Sequence, residues 1–81
     1  MLSELSTANK VVGAKQVKRA LSDGRAGKVF LAADADPRVT EPVEQLCAEC
    51  GVPVERVPLM KDLGSACGIS VPSAVAALLR A

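Results

Sequence analysis

The residues best equipped for chemistry lie between Gly13 and Arg19, where a glycine turn opens a segment carrying Lys15, Gln16, Lys18 and Arg19. On a helix, at about 100° per residue, Lys15, Lys18, Arg19 and Ser22 fall within an arc of roughly 100°, with Val17, Ala20 and Leu21 on the opposite side. One side can pack while the other meets an anion at a helix start, where unpartnered N–H groups favour negative charge. The same spacing also describes a solvated face on an ordinary amphipathic helix, and Gly13 an ordinary strand-to-helix turn.

A second candidate is Asp34-Ala35-Asp36-Pro37, which breaks the apolar run Val29-Phe30-Leu31-Ala32-Ala33. An apolar strand ending in Asp-x-Asp resembles the nucleophile and acid of aspartate-based phosphatases, whose carboxylates also hold magnesium. Asp-Pro pairs equally end strands and start turns. The enzyme reading lacks support elsewhere: Pro37 follows at once, there is no His, and no serine or threonine has an evident base. The third candidate is Cys47-x-x-Cys50. With only Cys67 besides and no His, zinc would be short of ligands, and a helix end closed by Gly51 disfavours a thiolate. The three cysteines are expected to be buried small hydrophobes, with no disulfide, metal or cofactor.

The elements that must position these residues alternate along the chain. A short helix is expected over about residues 2–7, a strand over 10–12, a helix over 14–22 ending at Gly24, and a buried strand over 29–33. Thr40 is expected to cap the next helix, with Glu41 and Glu44 in its first turn and Pro42 tolerated near its start. Val43, Leu46, Cys47 and Cys50, at i, i+3, i+4 and i+7, form its apolar stripe before Gly51. Residues 53–58 then read as a strand, Leu59, Leu63 and Ala66 as the stripe of a helix ending at Gly68, and 74–79 as a last strand. Such alternation implies right-handed crossovers and helices on both faces of a small sheet.

Composition sets the bounds. With 81 residues the chain is expected to form one domain, over residues 1–81. A chain of this length buries only about 60% of its unfolded surface, so one modest core must suffice. The net charge of +1 hides a division: residues 1–28 carry six basic and two acidic side chains, residues 29–62 three basic and seven acidic. That asymmetry suits a polyanion-facing end. With no apolar run long enough to cross a bilayer and no signal-peptide pattern, the protein is expected to be soluble, monomeric and cytoplasmic.

Three blocks taken together carry a resemblance. Val12-Gly13-Ala14-Lys15-Gln16-Val17-Lys18-Arg19, Ala32-Ala33-Asp34-Ala35-Asp36-Pro37 and Leu63-Gly64-Ser65-Ala66-Cys67-Gly68-Ile69 resemble the three signatures of the kink-turn RNA-binding ribosomal protein family (the L-seven-Ae and L-thirty-e superfamily), its small bacterial members above all. The likeness spans about residues 8–80. It implies a three-layer α-β-α sandwich with a four-stranded mixed sheet. It further implies a protein that grips a sharply bent RNA internal loop with tandem sheared G·A pairs, as part of the ribosome or on another structured RNA.

The resemblance also assigns residues. Gly13 and Ala14 belong to the turn that approaches RNA. Lys15 and Gln16 stand where archaeal and eukaryotic relatives place an Asn-Glu pair that reads the guanines. Lys can donate to guanine O6 and N7, and Gln can donate or accept. Arg19 matches a basic residue directed at RNA, with phosphate contact its expected role. Asp36 and Thr40 match positions bordering a pocket for an extruded nucleotide. Lys61 stands one residue beyond a family lysine position, Met60 holding the aligned place. Ile69, Ser70, Val71 and Pro72 match the loop that packs against the other side of the bent RNA. Composition agrees with such a mode: base-stacking readers need exposed aromatics, and here Phe30 is the only aromatic. A protein-interaction module on the same fold is the competing non-enzymatic reading.

Overall fold

The computed structural model describes residues 9–80, and the expected helix over residues 2–7 lies outside them. The elements follow in the order β1 (Lys10–Val12), α1 (Ala14–Ser22), β2 (Ala26–Ala32), α2 (Pro37–Cys50), β3 (Val54–Val57), α3 (Met60–Ala66) and β4 (Val75–Leu79). The four strands form one mixed sheet in the order β1-β4-β2-β3. Strand β4 runs antiparallel to both β1 and β2, and β2 pairs in parallel with β3.

The strands' two-residue period divides the core into two layers. Val29 and Leu31 of β2 and Val75 and Ala77 of β4 face one side, against Val17, Ala20 and Leu21 of α1 and Val43 and Cys47 of α2. Phe30, Ala32 and Ala76 face the other side, against Leu63 and Cys67 at α3. The continuous apolar runs of the sequence are thus buried on both faces, which is the α-β-α sandwich expected. Phe30 is wholly buried and has no ring surface for a base.

Several expectations need correction. Strand β2 starts at Ala26, three residues early, because β4 continues far enough to pair with it beyond an irregularity between Ala26 and Lys28. Helix α2 starts at Pro37 with Asp36 as its cap, and Thr40 lies inside it, only 9% exposed. Proline suits the first helical position, and the Asp36 carboxylate reaches the Arg38 amide at 2.9 Å. Pro42 consequently falls in the second turn, where its missing N–H costs one rung of the helix. Leu59 precedes α3 in extended backbone and is 45% exposed, so it is not part of a buried stripe.

The cysteines also divide. Cys47 and Cys67 are buried, whereas Cys50, at the last residue of α2, is exposed. There the Cys50 thiol lies 3.7 Å from the Leu21 carbonyl near the end of α1, outside the buried core. Burial pushes the Cys47 thiol up to about 11, with Cys50 and Glu44 adding to the effect. Burial also raises Cys67. Alkylation of the native protein at neutral pH should therefore mark Cys50 alone, with Cys47 and Cys67 labelled only after denaturation; mass spectrometry of the labelled peptides checks this.

Candidate nucleic-acid interface

Four chain segments meet at one end of the sheet. The register places the ends of β1, β2 and β3 beside the start of β4, since Val12 pairs with Ala76, Leu31 with Val75 and Ala32 with Val57. Backbone bonds tie the loops together there. The Gly13 N–H donates to the Val75 carbonyl at 2.9 Å and the Ala32 N–H to the Ala74 carbonyl at 2.9 Å. The Ser73 N–H donates to the Met60 carbonyl at 3.0 Å, and the Met60 N–H donates to the Asp34 carboxylate at 2.8 Å.

Each helix follows a strand that ends here, so the N-termini of α1, α2 and α3 all lie at this end. They differ in how their first N–H groups are satisfied. Asp36 caps α2 through the Arg38 amide, and Asp34 serves α3 through the Met60 amide. Helix α1 has Gly13 as its cap residue, with no side-chain cap bond and no acidic group in its first turn. Of these three ends, α1 is the one with no side-chain acceptor on its leading N–H groups and no acidic residue in its first turn, which suits it best to an anion. Gly13 has φ 99°, a conformation that disfavours a side chain, and a Cβ there would meet nothing within 4 Å. A ligand backbone can therefore come close.

Around that turn Lys15, Gln16, Lys18 and Arg19 are all exposed, while Val17, Ala20 and Leu21 are buried. The division matches the helix-face reading of the sequence. Among the described residues Lys15, Lys18, Arg19 and Lys61 form no ion pair, so their charges are not spent within the fold. Ala14 is half-buried beneath the turn.

On the other side of the sheet a groove of about 440 Å³ runs between α3 and the loop that follows it. Lys61, Ser65, Ile69, Ser70, Val71 and Pro72 line it. Five of these are expected site residues, and Ser65 is one that sequence reasoning missed. Its signal was present: Ser65 is four residues from Lys61 and so shares its helix face. Val71 is 59% exposed and Ile69 is 36% exposed, giving the groove an apolar lip. The loop can lie this near α3 because residue 64 is glycine: a Cβ there would sit 2.1 Å from the Val71 carbonyl oxygen.

The two aspartates have structural work instead of forming a nucleophile and acid pair. Asp34 joins the β2–α2 loop to α3. The Arg38 side chain and, less strongly, its amide hold the Asp36 carboxyl below the usual carboxylate range. Thr40, expected beside a nucleotide pocket, is nearly buried and offers a ligand little surface. Among the described residues no group of three or more carboxylates or thiols is placed to hold a metal ion, and no helix is long and apolar enough to cross a membrane.

Fold and site define a small α-β-α protein with one sheet end built from a glycine turn, an uncapped basic helix start and a half-apolar loop. The model of the ribosomal protein L7Ae/L30e/S12e/Gadd45 family matches residues 2–81, and the chain belongs to that family. It is 45% identical over 76 residues to an RNA-binding protein of Geobacillus sp. (strain WCH70), covering 94% of this chain and 93% of the relative. The RNA-binding protein YbxF of Geobacillus stearothermophilus shows the same identity and coverage. Among solved structures, the 15.5kD RNA binding protein of Giardia lamblia superposes with a TM-score of 0.89 at 31% identity, over 99% of this chain and 69% of that one. A protein of unknown function from Bacillus halodurans superposes with a TM-score of 0.87 at 27% identity, over 99% and 84% of the two chains.

Proposed function

We propose that this protein binds structured RNA at a kink-turn and holds it in its bent form. The observation that carries this reading is the gathering of Gly13, the uncapped start of α1 and the loop 69–72 at one end of the sheet. The RNA-binding names of the bacterial relatives and of the Giardia protein support it. In this reading the α1 N–H groups, Lys15 and Gln16 address the guanine edges and nearby backbone of the tandem G·A pairs. Arg19 meets phosphate, and Lys61 with the Ile69–Pro72 loop packs against the other arm of the bend. The bound form of the RNA is the kinked one, so binding shifts its population toward the bend.

The proposed partner is ribosomal RNA or another structured RNA of the cytoplasm, bound by one copy of the chain. Titration with a kink-turn RNA, followed by fluorescence or calorimetry, tests this. Binding should weaken sharply when the G·A pairs are replaced, and equal binding to a plain duplex would refute it. Arg19→Ala should weaken intact and G·A-altered RNAs by a similar factor, roughly 3–10-fold, and flatten the salt dependence by about one phosphate's share. Recovering the RNA that co-purifies with the protein identifies the natural target.

A further inference from the structure

Arg38 stands one residue inside α2, with its side chain 89% exposed, yet it is held in place by its neighbour. Its Nε donates to both Asp36 carboxylate oxygens, at 3.3 and 3.1 Å, and its Nη2 donates to Oδ2 at 2.8 Å. The Arg38 backbone N–H donates to Oδ1 as well, at 2.9 Å. With these bonds the carboxylate has little acceptor capacity left, whereas the guanidinium keeps roughly three of its five N–H donors. A ligand arriving at this corner therefore meets a positioned guanidinium, not a bare carboxylate.

Position reinforces the point. β1 and β2 both flank β4, so the strands that lead into α1 and α2 run about 10 Å apart, two strand spacings, and both helices start at the same end of the sheet. A planar fork already fixed in one geometry loses less freedom on meeting phosphate than a loose lysine does. Resting on the RNA-binding reading above, we infer that Arg38 is a further RNA-contacting residue, donating to a backbone phosphate of the bent strand, with Asp36 as its positioning residue. The corner expected to present a carboxylate to the extruded nucleotide presents a cation to the strand instead.

The test measures affinity for a kink-turn RNA, intact and with its G·A pairs replaced, across a series of salt concentrations. Arg38→Ala should weaken intact RNA by roughly 5–20-fold and lower the slope of log K against log salt by about one contact. Arg38→Lys should keep the slope and recover part of the affinity, because the charge stays and the fork is lost. Asp36→Asn retains a good helix cap, which keeps the fold intact. It should tighten binding in the Arg38→Ala background, where it removes a bare anion, and do so less or not at all when Arg38 is present. Wild-type binding with an Arg38→Ala affinity within twofold and an unchanged slope overturns the inference alone. Equal effects of Asp36→Asn in both backgrounds overturn the positioning role. Failure of the wild-type protein to prefer the intact RNA overturns the proposed function and this inference with it.

Discussion

Replacing Gly64 by alanine is expected to lower stability by about 2–3 kcal/mol and to dismantle the groove beside α3. The new methyl would lie 2.1 Å from the Val71 carbonyl oxygen, 3.1 Å from its carbonyl carbon and 3.3 Å from the Pro72 Cα. All three are backbone atoms, so relief requires the whole loop to move, not a side chain to rotate. The loop is not free to move. The Ile69 N–H donates to the Gly64 carbonyl at 3.1 Å, and the Ser73 N–H to the Met60 carbonyl at 3.0 Å. Beyond, the buried Ser73 hydroxyl donates to the Val75 carbonyl at 2.8 Å, where β4 begins. Urea denaturation should show a lower midpoint, and RNA titration of the folded fraction should show weaker binding, because Ile69 and Val71 are carried on the displaced segment. Gly27→Ala is the control. Its methyl would meet Arg80 Cγ at 3.5 Å, an ordinary contact, and should change stability by less than about 1 kcal/mol. Similar losses at both positions would mean that close approach at residue 64 is not what glycine supplies.

How far the sequence discloses this arrangement differs from one residue to the next. Val29 to Ala32 announce a strand buried on both faces, and the alternation Val29, Leu31 against Phe30, Ala32 then sorts itself between the two layers. Val17, Ala20 and Leu21 announce their side of α1 just as directly. Such signals are local, because a helix or strand period is written in adjacent residues. The start of α2 was not legible in this way. Asp36 and Thr40 are both good capping residues, four positions apart, and Glu41 and Glu44 suit the first turn of a helix that begins after the later one. What decides is where β2 ends, since that leaves Asp36-Pro37 already turning out of the sheet.

The site shows the same limit more strongly. The exposed basic arc of α1 could be drawn from residue angles alone. That Asp34 serves the N-terminus of α3, across 26 residues of sequence, depends on three loops converging. No spacing rule records it. Reading Asp34 and Asp36 together as an Asp-x-Asp pair was a local inference about groups whose work is done toward different helices. Cys50 fails for a related reason: position i+7 continues the stripe of Val43 and Cys47, but its thiol reaches the Leu21 carbonyl at the end of α1, 3.7 Å away, and stays exposed.

Gln16→Ala is expected to cost about 1–3 kcal/mol of kink-turn binding and, more tellingly, to erode discrimination against altered G·A pairs. Gln16 is the third residue of α1 and is exposed. Its angular place lies between the cationic arc and the packed side, so it projects beside the turn without being drawn into the core. Lys15 and Arg19 bring only donors, and a cation near phosphate binds most sequences alike. Gln16 alone among these neighbours offers a donor and an acceptor together, which a sheared guanine edge can match and a substituted base cannot. Affinities of the wild-type, Gln16→Ala and Arg19→Ala proteins for intact and G·A-altered RNA separate the two contributions. Arg19→Ala should shift both RNAs together, whereas Gln16→Ala should bring them closer to each other. Gln16→Glu sharpens the reading, since it keeps acceptor oxygens and removes the amide donor. Selectivity retained in the glutamate variant assigns the acceptor to the guanine, and selectivity lost assigns the donor. If Gln16→Ala left the ratio between the two RNAs unchanged, recognition would have to come from the α1 N–H groups or Lys15, and Gln16 would have no part in reading bases.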